Sequence, residues 1–332
     1  MLELAVVIFF AHVLDLLVGD PRYPFHPIRI IGRAISWWRK RLKSVGLDGK
    51  VGGIFLVLMT EMSALGCYVA ARLLLYALFP LMGIAFDVFV CYSLLAFKDL
   101  IVHIRPVIRA LETGNLAVAR EAIAMTVGRD TRYLNKAGVT RAAVETLAEN
   151  FVDGFLSPLF CYIMAGALAS LLGWSPLLPA VCSMLIFKVA STLDSTVGYK
   201  NEHFLTFGWA SASLDDLLNF IPARLSLMIL YSGAWLAKLH AKDGFRIALK
   251  DRLKHDSPNA AHAESFVAGA LHVRLGGPTR YPEGVKMKPW LGEAYTDPVP
   301  EDIRRTVDLL KRSAGIAMLI SLSTLLLLHQ CH

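Results

Sequence analysis

Glu145, Glu149 and Asp153 recur at every fourth position of A-A-V-E-T-L-A-E-N-F-V-D-G. That spacing lines up three carboxylates on one face of a helix. Like charges in a row repel, and these stand directly ahead of an apolar run. The arrangement suits a divalent cation such as Mg2+, which prefers carboxylate oxygens. An acidic helix face balanced by Lys136 and Arg141 is the alternative. A second stretch, Lys188 to Arg224, is polar although apolar segments flank it. It carries the carboxylates Asp194, Asp215 and Asp216, the cations Lys188, Lys200 and Arg224, and turn-forming Gly198 and Gly208. Acids and bases around glycines suit a metal-bridged phosphate, where carboxylates hold the ion and cations neutralise oxygens. Salt bridges in an interfacial loop would use the same residue types.

Two smaller groups follow. After Pro258, Asn259 is placed to cap a small-residue helix from Ala260 to Ala270, and Gly276-Gly277 then makes a turn. Such Ala and Gly density permits close helix packing or close approach to a bulky ligand. Near the start, Asp15, Gly19-Asp20-Pro21, His26-Pro27 and Arg29 form a polar cluster that serves turn formation equally well. Known nucleotide and hydrolase patterns are missing. Gly198-Tyr199-Lys200 lacks the upstream glycine and following hydroxyl of a P-loop. Neither H-E-x-x-H nor G-x-S-x-G occurs, and the five cysteines include no C-x-x-C.

The elements that must position these groups are membrane helices. Of 332 residues, 55% are hydrophobic and only 18% charged, and the mean hydropathy is +0.50. About a quarter charged is usual for a soluble chain. The fold class expected is an all-α polytopic integral membrane bundle with cytoplasmic interfacial helices and loops. The net charge of +7 is concentrated in particular loops, as cytoplasmic ones require, so nucleic-acid binding is not implied. Spans are expected near 1–18, 51–79, 84–97, 155–173, 177–193, 217–237 and 313–328, all in one domain. The polar segments 19–50, 98–154, 188–216 and 238–312 are assigned to the cytoplasm, and three of them carry eight, eight and fourteen Lys and Arg (19–50, 98–154 and 238–312). One conflict follows. Charge puts 188–216 and 238–312 on the same side, whereas a crossing 217–237 would separate them. Either 217–237 re-enters or lies in the interface, or 177–193, short and carrying Lys188, does not fully cross. Irregular or polar backbone at that depth must be buried in protein or line a wet cavity.

With these residues in view, the sequence resembles the CobD/CbiB family, the membrane-bound adenosylcobinamide-phosphate synthases of cobalamin biosynthesis. The likeness covers nearly the whole chain. It is carried by L-D-L-L-V-G-D-P with H-P-I-R-I-I-G-R, by G-R-D-T at 128–131, and by A-V-E-T-L-A-E-N-F-V-D-G with S-P-L-F after it. It continues through T-L-D-S-T-V-G-Y-K-N-E, F-G-W-A-S-A-S-L-D-D-L-L-N-F-I-P-A-R, and S-P-N-A to A-G-A-L-H-V-R-L-G-G-P. One departure is Ala261-His262-Ala263, where the family usually reads Gly-Trp-Pro before the glutamate that is Glu264 here.

The resemblance implies an amide ligation between a corrin carboxylate of adenosylcobyric acid and the amine of aminopropanol phosphate or a similar amino-alcohol phosphate. ATP is the expected co-substrate and Mg2+ the expected cofactor. On this reading Glu145, Glu149 and Asp153 hold the metal, and Asp194, Asp215, Asp216 and Lys200 carry the chemistry. Lys188, Tyr199, Asn201, Asn219, Arg224, Asn259 and Arg29 bind substrate and phosphate. The two acidic stretches are expected to share one site at the cytoplasmic face of a bacterial inner membrane. Contact with other corrin-pathway enzymes, or self-association, is a further expectation. Two other classes compete: a transporter using Glu61, Asp87 and Lys188 as a path, and a non-catalytic sensor or assembly protein of the same superfamily.

Overall fold

Long apolar runs without water to hydrogen-bond their backbone must become helices, since a helix satisfies its own peptide groups. The computed structural model describes residues 1–21, 23–198, 206–281 and 284–330, and shows this outcome. Six helices are long and apolar enough to cross a membrane: Lys50–Leu78, Pro80–Glu112, Lys136–Leu171, Leu177–Val197, Trp209–Leu236 and Pro300–Gln330. The chain is thus an all-α, polytopic membrane protein. The N-terminal apolar helix, Leu2–Val18, has 17 residues and is not among the six. Residues 217–237 lie in the single helix Trp209–Leu236, with Pro222 inside it.

The chain divides into two bodies. The first comprises Met1–Ala96, Ser157–Leu218 and Ile320–His332. It contains α1 (Leu2–Val18), α2 (Pro27–Ser44), α3 (Lys50–Leu78) and α4 (Pro80–Leu94), then α8 (Ser157–Leu171), α9 (Leu177–Val197) and the start of α10 (Trp209–Leu236). The amphipathic α2 buries Ile31, Ile35 and Leu42 while its other faces carry arginine and lysine. Its Trp38 indole donates to Ser63 of α3 at 3.0 Å. Asp20 pairs with His26 at 2.6 Å, and Pro27 opens α2 immediately after. The polar cluster near the start therefore builds a helix entry. Within the α3–α4 hairpin, Arg72 Nε donates to both oxygens of Asp87 at 3.0 and 2.9 Å, and Tyr68 donates to the same carboxylate at 2.6 Å. Asp87 is wholly buried, so pairing is what makes its charge tolerable there. The backbone of α3 approaches closely elsewhere too: a Cβ at Gly53 would stand 2.0 Å from the Phe207 carbonyl oxygen.

The second body comprises Phe97–Leu156 and Asn219–Leu319. It holds α5 (Phe97–Glu112), α6 (Leu116–Ala124), α7 (Lys136–Phe151), a π-helical turn at Val152–Leu156, and the remainder of α10. After these come α11 (Ala241–Asp251), α12 (Ala260–Leu271) and most of α13 (Pro300–Gln330). Every residue of α12 is buried, which explains its alanine and glycine content. A Cβ at Gly269 would lie 2.5 Å from the Asp243 carbonyl oxygen of α11; the small residues serve helix packing. Four strands of two or three residues follow. β1 (Leu275–Gly276) pairs antiparallel with β4 (Trp290–Leu291), and β2 (Thr279–Tyr281) with β3 (Gly284–Lys286).

Candidate functional site

In the second body α7 presents Glu145, buried, and Glu149, half-buried, while Asp153 falls in the π-helical turn beyond. π turns add a residue to the helical ladder and often sit at functional places. The packing of α12 against α7 adds a third glutamate, Glu264, 6% exposed. Burial raises the Glu264 carboxyl well above the usual glutamate value, and the charges of Glu145 and Glu149 push in the same direction. Among the described residues nothing donates a hydrogen bond to it. Glu145 is different. Its Oε1 accepts from the Gly276 N–H at 2.6 Å and its Oε2 from Arg129. One glutamate is saturated by protein donors, and another is buried without any.

Cations surround this acidic group. Arg129 belongs to the G-R-D-T loop, which the Asp130 N–H fastens to the Arg280 carbonyl at 2.9 Å. The Arg132 guanidinium beside Asp130 holds that carboxyl down at about 2. Lys288 sits near enough to Glu264 to offset its charge. His255 lies close by; burial, and then Lys288, lower its pKa. The Ser257 N–H donates to His255 Nδ1 at 3.1 Å, so the neutral ring carries its proton on Nε2. The loop after β1 is held by Trp290. The guanidiniums of Arg141 and Arg274 each stand 4.5 Å from its ring centroid, and both arginines bond Asp297 Oδ1, at 2.6 and 2.9 Å.

A cationic group forms elsewhere in the same body. Asn219 of α10 is 1% exposed. Arg224, on the same helix, donates to Asn259 Oδ1 at 3.4 Å. Asn259 does occupy the N-cap position of α12, but its side chain makes no capping bond, because its oxygen is turned toward Arg224. This corrects the expectation of a capping asparagine. His262 is wholly buried, and its Nδ1 lies 3.2 Å from the Asn259 carbonyl. Burial, with Arg224 and Arg252 adding repulsion, brings the imidazole down to about 4. Its Nε2, like the Arg252 Nε, is buried without a partner among the described residues. The neutral ring gives its Nδ1–H to the Asn259 carbonyl, so Nε2 is an acceptor. The orphaned Arg252 Nε–H beside Arg224 is the donor that an anion would take.

The other anticipated residues are placed as follows. In the first body Lys188 and Asp194 stand on α9, and Asp215 and Asp216 on the early turns of α10, all half-buried. Thr192 Oγ donates back to the Lys188 carbonyl at 2.7 Å, and Thr196 to the Thr192 carbonyl at 2.6 Å. Gly198 closes α9 directly over Asp194, where an added Cβ would come within 1.9 Å of Oδ1. Arg29 is exposed on the first turn of α2. Tyr199, Lys200 and Asn201 lie outside the described residues. Sequence spacing missed Glu264, Arg129, Lys288, His255 and Arg252. Only the motifs holding Arg129 and Glu264 offered a signal.

Asp243, His240 and His272 also converge, with ligand atoms within 4.8 Å of one another. The two imidazoles are stacked, centroids 3.8 Å apart and 13° from parallel. Parallel rings point their lone pairs alongside rather than toward a shared ion. Tyr295 extends the stack and Asp243 accepts from His272 at 2.8 Å. This group is a packing ladder.

Comparison with known proteins agrees with the motifs. Residues 8–310 match the family described as CobD/Cbib protein. The chain is 36% identical over 322 residues to the cobalamin biosynthesis protein CobD of Clostridium perfringens, covering 96% of each. It is 38% identical over 331 residues to that of Pelobacter propionicus, covering 98% of this chain and 97% of the relative. With the cobalamin biosynthesis protein CbiB of Salmonella typhimurium it shares 37% over 315 residues, 93% of each. No solved structure matches the chain. Matched from residue 8 to residue 310 and aligned almost end to end with these relatives, the chain belongs to the CobD/CbiB family.

Proposed function

We propose that the chain acts in cobalamin biosynthesis as an ATP-dependent amide ligase, an adenosylcobinamide-phosphate synthase. It joins an amino-alcohol phosphate such as aminopropanol phosphate to a corrin carboxylate of adenosylcobyric acid. The observation that carries this reading is the buried glutamate group of α7 and α12 set among Arg129, Lys288 and His255. A carboxylate is a poor electrophile at neutral pH. Transfer of the ATP γ-phosphoryl group to a carboxylate oxygen gives an acyl phosphate and ADP. The amine nitrogen then attacks the acyl carbon, phosphate leaves with the C–O electron pair, and the nitrogen loses its proton to a base.

The chain's residues fit these needs. Glu264 has no donor of its own and, with Glu149, offers the oxygen ligands that Mg2+ prefers. Glu145, fixed by Arg129 and Gly276, orients the set. Bound Mg2+ would neutralise the polyphosphate oxygens. Lys288 and Arg129 would hold charge that develops on the transferred phosphoryl group. The cradle of Arg224, Arg252, Asn259 and Asn219 suits the phosphate of the amino alcohol. Asp194, Asp215 and Asp216 are the candidate bases for the ammonium group, with Lys188 and Lys200 as further phosphate ligands and Asp153 as a further metal ligand. In this reading the site faces the cytoplasm of a bacterial inner membrane. A transporter would need Asp87 available to a moving ion, whereas Arg72 and Tyr68 hold it. The test is purified protein with adenosylcobyric acid, aminopropanol phosphate, ATP and Mg2+, read by mass spectrometry. Amide product and ADP are expected, with both lost in Glu264→Gln. Wild-type protein that makes neither sinks the proposal.

A further inference from the structure

The second body contains a cavity of about 390 Å³ between α5 and the first half of α13. Ile101, Ile104, Arg105, Ile108 and Arg109 reach it from α5, and Arg304, Val307, Asp308 and Lys311 from α13. On each helix the contributors follow the three-and-four spacing of a single face. The floor is therefore apolar and the rim cationic. The carboxylates do not cancel that charge. Asp308 bonds Arg312 at 2.9 Å, outside the lining. Arg304 is matched by Glu112, donating from Nε at 2.8 Å. Arg105, Arg109 and Lys311 have no acidic partner among the described residues. Three uncompensated cations around one apolar floor call for an anion that has an apolar part.

Position names the source. Lys311 and Arg312 lead into the apolar run 313–328 of α13, and α5 is the polar end of the candidate span Pro80–Glu112. The cavity therefore lies where apolar helix gives way to polar helix, the depth of lipid phosphates. Basic pockets between membrane helices at this level bind anionic headgroups. We propose that this cavity is a binding site for the phosphodiester of an anionic phospholipid, its glycerol resting on the isoleucines of α5. The cavity shares no residue with the glutamate group or with the groups proposed for the ligation.

The test uses the full chain purified in neutral detergent, with phosphatidylglycerol as probe, acyl-matched phosphatidylcholine as control, and inorganic phosphate as competitor. Retained lipid is read by native mass spectrometry and binding by titrated thermal stabilisation. Phosphatidylglycerol should bind and phosphatidylcholine should not, and millimolar phosphate should leave the lipid in place. Each cation removed should weaken binding about fivefold, so Arg109→Gln with Lys311→Gln should weaken it about 25-fold. Asp308→Asn removes the one carboxylate and should tighten binding, a direction that misfolding does not imitate. Equal binding of the two lipids overturns the proposal, as does displacement by phosphate, which would mark a free-anion site. An unchanged affinity in the folded double variant, or a weaker one in Asp308→Asn, also overturns it. Should the double variant fail to fold, the lipid comparison and Asp308→Asn decide.

Discussion

Arg129→Met tests the electrostatic logic of the glutamate group most directly. The wild-type guanidinium is 14% exposed and donates to a carboxylate that is 6% exposed. Methionine keeps most of the length and removes the charge and the donors. Among the described residues Glu145 then retains only the Gly276 N–H, and Glu264 loses one of the cations that offset it. Breaking a buried pair from one side costs about 3–5 kcal/mol, because the stranded charge keeps its desolvation penalty. At about 2–4 °C per kcal/mol for a domain of 150–250 residues, the midpoint of thermal unfolding should fall by roughly 6–20 °C. Glu145→Gln added to Arg129→Met removes the stranded charge and should recover most of that loss. The assay is a double-mutant cycle of thermal unfolding in detergent, with circular dichroism as the readout. Strict additivity of the two substitutions, or an Arg129→Met protein as stable as wild type, refutes the reasoning.

Two further outcomes can be measured. Because its folded pKa is raised, chiefly by burial and then by Glu145 and Glu149, Glu264 stabilises the fold fully below the ordinary glutamate value. That contribution is lost as pH rises through the raised one. Glu264→Gln should therefore show a flatter loss of stability between pH 5 and 8 than wild type, and added Mg2+ should stabilise only the wild type; parallel profiles would rule this out. Gly269→Ala presses a methyl group against the Asp243 carbonyl oxygen. It should destabilise by about 1–3 kcal/mol through overpacking, less the helix-propensity gain of about 1 kcal/mol. Gly32→Ala, with open space around it, should show that gain alone, and chemical denaturation of the two variants distinguishes them.

How much of this was legible in the sequence depended on the range of the interaction. Hydropathy is a local property, so the apolar helices could be read directly, and the recurrence of Glu145, Glu149 and Asp153 is likewise local. Glu264 is brought to α7 by the packing of a helix far along the chain, which no spacing within either segment encodes. Asn259 misled for a related reason: the local pattern of a cap is correct, but a distant arginine competes for the same oxygen. The strands β1 to β4 are too short to show a period of two. The small residues of α12 allowed two readings, and contact with the α11 backbone favours packing.

Trp290, with two guanidiniums near its ring and the ring edge against Gly277, has an optical consequence. A Cβ at Gly277 would come within 2.5 Å of that ring, so the indole has little freedom to turn. Indole emission responds to nearby charge, and two cations stand 4.5 Å from this ring's centroid. Gly276, paired with Trp290 across β1 and β4, is tied to Glu145 by its own N–H. The chain therefore contains a built-in fluorophore one residue pair away from its glutamate group. With the five other tryptophans replaced by phenylalanine, its emission would report ligand binding without an added label.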